Sequence, residues 1–254
     1  MTQADKARAF GALHVPGNPL VLFNVWDPGS AKAVAQAGAK ALATGSWSVA
    51  AAHGFADGEK IPLELALDNF RRIAASTELP VSMDIESGYG KTADEVGRTV
   101  AHTLEAGAIG CNLEDSIPAD GTLREPAEQV LRIRAARKAA EAAGIPYFIN
   151  ARTDVFFQGP AKPHDAKLLE AALERAQAYA QAGASGLFVP GLVDKELIAR
   201  LTKASPIPVN VMVSAATPSL TALADIGVAR VSHGPGPYRA AMVAVTEAAR
   251  AALG

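Results

Sequence analysis

The chain has a single cysteine, Cys111, among its 254 residues, so no disulfide can close within it. No uninterrupted apolar run approaches the roughly 20 residues that a membrane-spanning helix needs, and the opening MTQADKARAF lacks the apolar stretch of a signal peptide. A surplus of either charge is missing too: 24 Lys and Arg stand against 26 Asp and Glu, for a net charge of −2. The basic residues are scattered over predicted helices, which leaves no electrostatic footprint for nucleic acid. These absences exclude nucleic acid and membrane as partners, direct attention to small molecules, and lead us to expect a soluble, cytoplasmic protein.

What is present is a repeated alternation. Short apolar runs start at Leu20 (LVLFNV), Ala41 (ALAT), Val81 (VSMDI), Gly110 (GCNLE), Tyr147 (YFINA), Gly186 (GLFV), Val209 (VNVM) and Arg230 (RVS). Between them lie segments with apolar residues at helical spacing, among them Leu63 to Ser76, Ala93 to Ala106, Glu125 to Ala143, Ala166 to Gln181 and Lys195 to Lys203. Glycines in the phrases AGA (37–39, 106–108, 182–184) and DIG (225–227) close helices before the next strand. Eight βα units without a linker predict an α/β fold in one domain spanning residues 1–254, a (β/α)8 TIM-type barrel. A doubly wound open sheet is the alternative. Either fold places ligands at the carboxyl ends of its strands.

Alternation of side chains along the strands then selects the residues that face inward. In VSMDIE, Val81, Met83 and Ile85 take the helix-covered face, leaving Ser82, Asp84 and Glu86 inside. In GCNLE, Cys111 and Leu113 point to the helices and Asn112 and Glu114 inside; Phe148, Asn150 and Arg152 behave likewise, as do Asn24 and Asn210. One mouth thus collects three carboxylates, one arginine and several amides. Carboxylates side by side are costly without a cation or a proton between them, and oxygen donors without His or Cys favour a hard ion such as Mg2+, which takes only one or two carboxylates directly.

The ordered segments NVWDPGSAKAVAQAGAKALATGSWSVAAAHGFADGE, DIESGYG, NLEDS, INARTD, GLFVPGL and RVSHGPGPYRAA resemble the isocitrate lyase and phosphoenolpyruvate mutase superfamily over most of the chain. That resemblance implies a (β/α)8 barrel and a Mg2+ ion, with Mn2+ as a possible substitute. It also implies cleavage or formation of a C–C or P–C bond next to a 2-oxo acid through an enolate-like intermediate. Carried over by position, Asp84 resembles the direct metal ligand, Glu86 and Glu114 the carboxylates that hold the metal's waters, and Asp57 a further acidic residue near the metal. Arg152 resembles the arginine that receives the substrate carboxylate, and Gly45 with Ser46 the donors for the oxo-acid end. Asn112, Asn210 and His233 are further candidate substrate contacts, His233 with a plain hydrogen-bonding role as its bland reading, and Trp47 is expected to narrow the pocket. His53, His102 and His164 receive no role.

The departures narrow the activity. Isocitrate and methylisocitrate lyases carry a loop Lys-Lys-Cys-Gly-His after the position of Glu114, whose Cys is an acid or base. Here the loop reads DSIPADGTLREPAEQ, without Cys, His or Lys. The Lys and Asn of the mutase loop are absent too, leaving Thr122 as a candidate counterpart of a phosphonopyruvate hydrolase threonine. A lyase acting on a small 2-oxo or 2-hydroxy dicarboxylate, such as an oxaloacetate decarboxylase, is therefore expected. A P–C bond hydrolase or mutase is the alternative, and a barrel that binds a 2-oxo acid without turnover is a second one. The resemblance further implies a homodimer or homotetramer, in which the Tyr238 to Leu253 helix corresponds to a region that the superfamily often exchanges between subunits.

Overall fold

A computed structural model describes residues 1–158 and 164–254. Eight strands run parallel in the order β1-β8-β7-β6-β5-β4-β3-β2: β1 Leu20–Leu22, β2 Leu42–Ala43, β3 Val81–Asp84, β4 Gly110–Glu114, β5 Phe148–Arg152, β6 Gly186–Phe188, β7 Val209–Met212 and β8 Arg230–Ser232. The ladder from β1 to β8 and a parallel bridge between Val25 and Thr44 bring the ends of the sheet together. The (β/α)8 barrel is therefore the fold, and the open sheet is excluded. The first strand is shorter than LVLFNV suggests, because after Leu22 the chain rejoins the sheet only at Val25.

Helices α1 Gln3–Ala12, α2 Pro28–Gln36, α3 Ser46–Ala52, α4 Leu63–Ala75, α5 Ala93–Glu105, α6 Pro126–Ala142, α7 Ala166–Gln181, α8 Lys195–Ala204, α9 Leu220–Asp225 and α10 Gly236–Leu253, with a short 3-10 turn at Val155–Phe157, complete the described elements. Their ends follow local chemistry. The Asp27 carboxylate accepts from Ser30 N at 2.6 Å and caps α2, and Thr92 with Glu95 forms a capping box on α5. Gly38, Gly107, Gly183 and Gly227 each follow a helix with φ between 82° and 99°, the left-handed termination that glycine adopts without strain. In α4 the buried side chains Ala66, Leu67, Phe70 and Ile73 form one stripe against the sheet.

Alternation along the strands separates two cores. Leu42, Met83, Cys111, Leu113, Ile149, Leu187 and Val211 belong to the layer packed against helices. Inside the barrel, α1 closes the amino-terminal end, where Phe10 packs with Leu20, Leu22, Ile109 and Phe148. The floor is therefore apolar and the polar residues are stacked above it. Helix α10 differs from the others. Only Pro237 of it is buried, while Met242, Val243, Val245 and Leu253 are exposed. Beside β1, where Val21 and Phe23 are exposed, an apolar groove of about 750 Å³ opens between α1 and α2.

Candidate active site

A cavity of about 190 Å³ sits at the carboxyl ends of the strands, lined by Asn24, Gly45, Ser46, Trp47, Ser48, Asp57, Asp84, Asn112, Arg152, Phe157, Phe188, Met212, Ser232, Gly234 and Pro235. Its acidic side is held together by the backbone. Asp84 Oδ2 accepts from Ser46 N at 3.3 Å and Oδ1 from Glu86 N at 3.2 Å, both long bonds that leave carboxylate lone pairs unspent. Asp57 is raised above the usual carboxylate range by burial and by the charge of Asp84, and the Ser46 side chain opposes this with a hydrogen bond.

Glu86 reaches the interior by a route that strand alternation does not describe. The strand ends at Asp84, and Glu86 itself adopts φ 51°. From there its Oε2 accepts from Gly58 N at 2.8 Å and Glu59 N at 2.6 Å, and Tyr89 Oη donates to Oε1 at 3.1 Å. Glu59 in turn accepts from Ser87 Oγ and Tyr89 N. Three non-glycine residues with positive φ, Glu59, Glu86 and Tyr89, lie in these two zipped loops, so the backbone strain is held by the bonds that place Glu86. Burial and then Asp57 push its carboxyl up to about 7.

Opposite lies Arg152. Its Nη1 meets Glu114 Oε2 at 2.8 Å, and its Nε and Nη2 donate to Asp154 at 2.6 and 3.0 Å. Burial works against its charge, but Glu114 and Asp154 more than restore it and raise its pKa. The rings of Phe157 and Phe188 flank the guanidinium at 5.8 and 5.9 Å. Behind it, Asp115 is fully buried and takes bonds from Asp154 N, Arg175 and Tyr179, which fixes the turn after β5.

The remaining sequence candidates divide. Trp47 does line the cavity, under Arg239 at 4.6 Å from its ring. Gly45 lines it too, but its N–H is spent on the Val25 carbonyl at 3.3 Å. Asn210 exchanges hydrogen bonds with Ser232 beneath the cavity. His233 donates its backbone N–H to Asn24 Oδ1 at 3.0 Å while its ring tilts against Phe23, so the imidazole is not among the lining groups. Thr122 is exposed and donates to Asp120 Oδ1 at 2.7 Å. Cys111 is buried behind β4, and burial pushes its thiol up to about 12. Residues not anticipated are Asp154, Phe157, Phe188, Met212, Ser232 and Arg230, although the inward alternation of Phe188, Arg230 and Ser232 was available in their strands.

Every donor on the acidic side is an oxygen. Among the described residues no three His, Cys, Asp or Glu side chains converge closely enough to share an ion. That donor set fits a hard cation held by one carboxylate and waters.

The phosphoenolpyruvate phosphomutase family model matches residues 10–253. The chain belongs to the phosphoenolpyruvate mutase family. A solved Burkholderia cenocepacia protein assigned as a phosphonomutase shares 56% identity at a TM-score of 0.96, over 99% of this chain and 100% of that one. The 2-methylisocitrate lyase of Escherichia coli is 33% identical over 87% of this chain and 75% of its own length. For the oxaloacetate decarboxylase of Pseudomonas savastanoi pv. phaseolicola the figures are 30%, 97% and 84%. A phosphonopyruvate hydrolase solved with oxalate and Mg2+ shares 26% identity at a TM-score of 0.83, over 95% of this chain and 84% of that one. The relatives include lyases, a mutase and a hydrolase, and this member of the family is an enzyme of that kind.

Proposed function

We propose that this chain is a Mg2+-dependent lyase that cleaves a C–C bond of a small 2-oxo or 2-hydroxy dicarboxylate, with oxaloacetate decarboxylation as the reaction that suits it best. The observation that carries this reading is the pairing of the Asp84 carboxylate side with Arg152 around one small cavity that receives no thiol or imidazole. Decarboxylation needs the 2-oxo group polarised and the carboxylates oriented, whereas cleavage of isocitrate-type substrates also needs a positioned acid and base. Bound Mg2+ would supply the positive charge for the oxygen on which charge develops. Asp84 would hold it, Glu86 and Glu114 would orient its waters, and Asp57 would stand within reach as an acidic group. Arg152 binds and orients a substrate carboxylate with its planar fork, and Trp47, Phe157, Phe188 and Met212 exclude water. The oxalate and Mg2+ in the related hydrolase support the same ligand class for this chain.

The alternative, P–C bond cleavage, is favoured by the high identity to the assigned phosphonomutase. For it, Thr122 would have to leave Asp120 and enter the site. The test is pyruvate release from oxaloacetate, phosphonopyruvate and methylisocitrate with and without Mg2+. Release from oxaloacetate alone supports the decarboxylase reading, release from phosphonopyruvate replaces it by the alternative, and release from none supports a binding protein without turnover.

Self-association is part of the same proposal. An exposed α10 bearing Met242, Val243 and Val245, beside an apolar groove flanking β1, supports a homodimer or homotetramer in which α10 of a second copy covers apolar surface left open here.

A further inference from the structure

Arg230 is the most deeply buried cation of the barrel. It lies on β8 in register with Asn210, with no exposed surface, and its guanidinium forms no ion pair among the described residues. Its Nη2 donates to Asn112 Oδ1 at 3.3 Å and its Nε to Ser232 Oγ at 3.3 Å; Nη1 has no partner, and the ring of Phe10 lies 6.0 Å below. Burial lowers its pKa to about 9, which leaves it charged at neutral pH. Burying an unpaired guanidinium is costly, and an apolar side chain on this inward position would avoid the cost.

The consequence falls on Asn112. A guanidinium can only donate, so Arg230 can meet only the oxygen end of the Asn112 amide. The same oxygen accepts from Asn150 Nδ2 at 2.9 Å. With its oxygen occupied from two sides, Asn112, which lines the cavity, has its Nδ2 hydrogens left for whatever binds there. Ser232, the other lining residue on this floor, is bonded to Arg230 and Asn210. Arg152 is already paired with two carboxylates, whereas among the described residues no carboxylate neutralises Arg230 by contact.

We propose that Arg230 is a positioning residue that locks the Asn112 amide with its N–H groups toward the cavity, creating a positively biased donor floor that recognises a second anionic group on the substrate. This rests on the 2-oxo acid reading and sharpens it: the preferred substrate carries two anionic ends, one at Arg152 and one above Asn112. Asn112 makes the contact, and Arg230 acts through it.

The test is calorimetric titration, in Mg2+, of oxalate, succinate and succinamate (the monoamide of succinate). The native protein is expected to bind succinate at least about tenfold more tightly than succinamate, the scale of one charge-assisted hydrogen bond. In Arg230→Met that ratio should fall to within about twofold while oxalate affinity holds, because the Asn112–Asn150 amide pair can then flip together, Asn150 Oδ1 having no partner to hold it. Parallel loss for all three ligands in Arg230→Met, with the ratio unchanged, would mean a merely structural arginine and overturn the proposal. Should Arg230→Met fail to fold, Asn112→Asp decides. It can still accept from Arg230 but presents oxygen to the cavity, so succinamate should become the better ligand, and a retained preference for succinate overturns the proposal. Equal affinities in the native protein, or no succinate binding by a protein that binds oxalate, overturn it and leave the 2-oxo acid reading standing. Absence of oxalate binding overturns both.

Discussion

Arg152 and Glu114 are register partners on adjacent strands, and their side chains meet at 2.8 Å over the inside of the barrel. Neighbouring parallel strands bring alternate residues side by side on one face, so two residues 38 positions apart become one ion pair. Asp154, in the turn after Arg152, takes the other edge of the guanidinium. Arg152 therefore serves the fold as well as any ligand.

Removing it should be costly. Arg152→Ala leaves two mostly buried carboxylates facing each other and is expected to destabilise the protein by about 3 kcal/mol, the scale of a broken buried pair. The double variant Arg152→Ala, Glu114→Gln should recover part of that loss. Denaturant unfolding of the single and double variants measures it; additive losses would show that Glu114 and Arg152 do not act as a pair.

Asp84 and Glu86 should separate in their effect on metal. Asp84→Ala is expected to abolish Mg2+-dependent oxalate binding, while Glu86→Gln weakens it by roughly tenfold, in the range for a group that acts through the ligands' surroundings. Calorimetry decides, and equal losses in the two variants contradict the division of roles.

Buried His14 gives a pH dependence with a definite sign. It stacks on Phe148 at 3.9 Å, donates from Nδ1 to the Phe10 carbonyl with no partner for Nε2 among the described residues, and is lowered to about 3 by burial and by Arg230. Between its unfolded value near 6.5 and about 3, the unfolded chain binds the proton and the folded chain does not. Stability contributed by the neutral ring is thus present above pH 6.5 and lost as pH falls. Raised carboxylates such as Glu86 act in the opposite direction, so the informative quantity is a difference between variants. Compared with His14→Phe, the native protein should lose an extra 2 kcal/mol or so between pH 7 and pH 5. Parallel stability profiles would contradict a buried neutral His14.

Much of this arrangement is legible in the sequence because strand alternation is a strict period of two. It places Asp84, Asn112, Glu114, Asn150 and Arg152 inside and Cys111 outside, as found. Glu86 lies beyond that rule, since a left-handed non-glycine residue ends the period and only the zipped loops of Gly58 and Glu59 explain its place. The free or occupied state of an N–H is likewise invisible in sequence, and Gly45 spends its donor on Val25. Thr122 and His233 stood in motifs of the right kind, but a local bond to Asp120 holds the Thr122 hydroxyl, and the His233 ring turns against Phe23 instead of lining the cavity. Helices α1, α3 and α9 carry too little periodic pattern to be marked in advance, being short or weakly amphipathic.

Helix α10 bears on assembly. Light scattering at micromolar concentration should give a mass of at least twice 26.2 kDa, and Val243→Glu with Val245→Glu should reduce it by placing charge in the proposed contact. A single species at 26.2 kDa for the native protein contradicts the exchange.

The proposed active-site cavity depends on a metal and works without a thiol. Its most direct measurement is the rate of pyruvate release from oxaloacetate by the Cys111→Ser protein in Mg2+ and after chelation, each corrected for the reaction of free metal with oxaloacetate. The expected result is a rate close to that of the native protein in Mg2+ and loss of enzymic release after chelation. A fall of roughly a hundredfold in the folded Cys111→Ser protein, the scale of a lost general acid or base, or release that survives chelation, would contradict it.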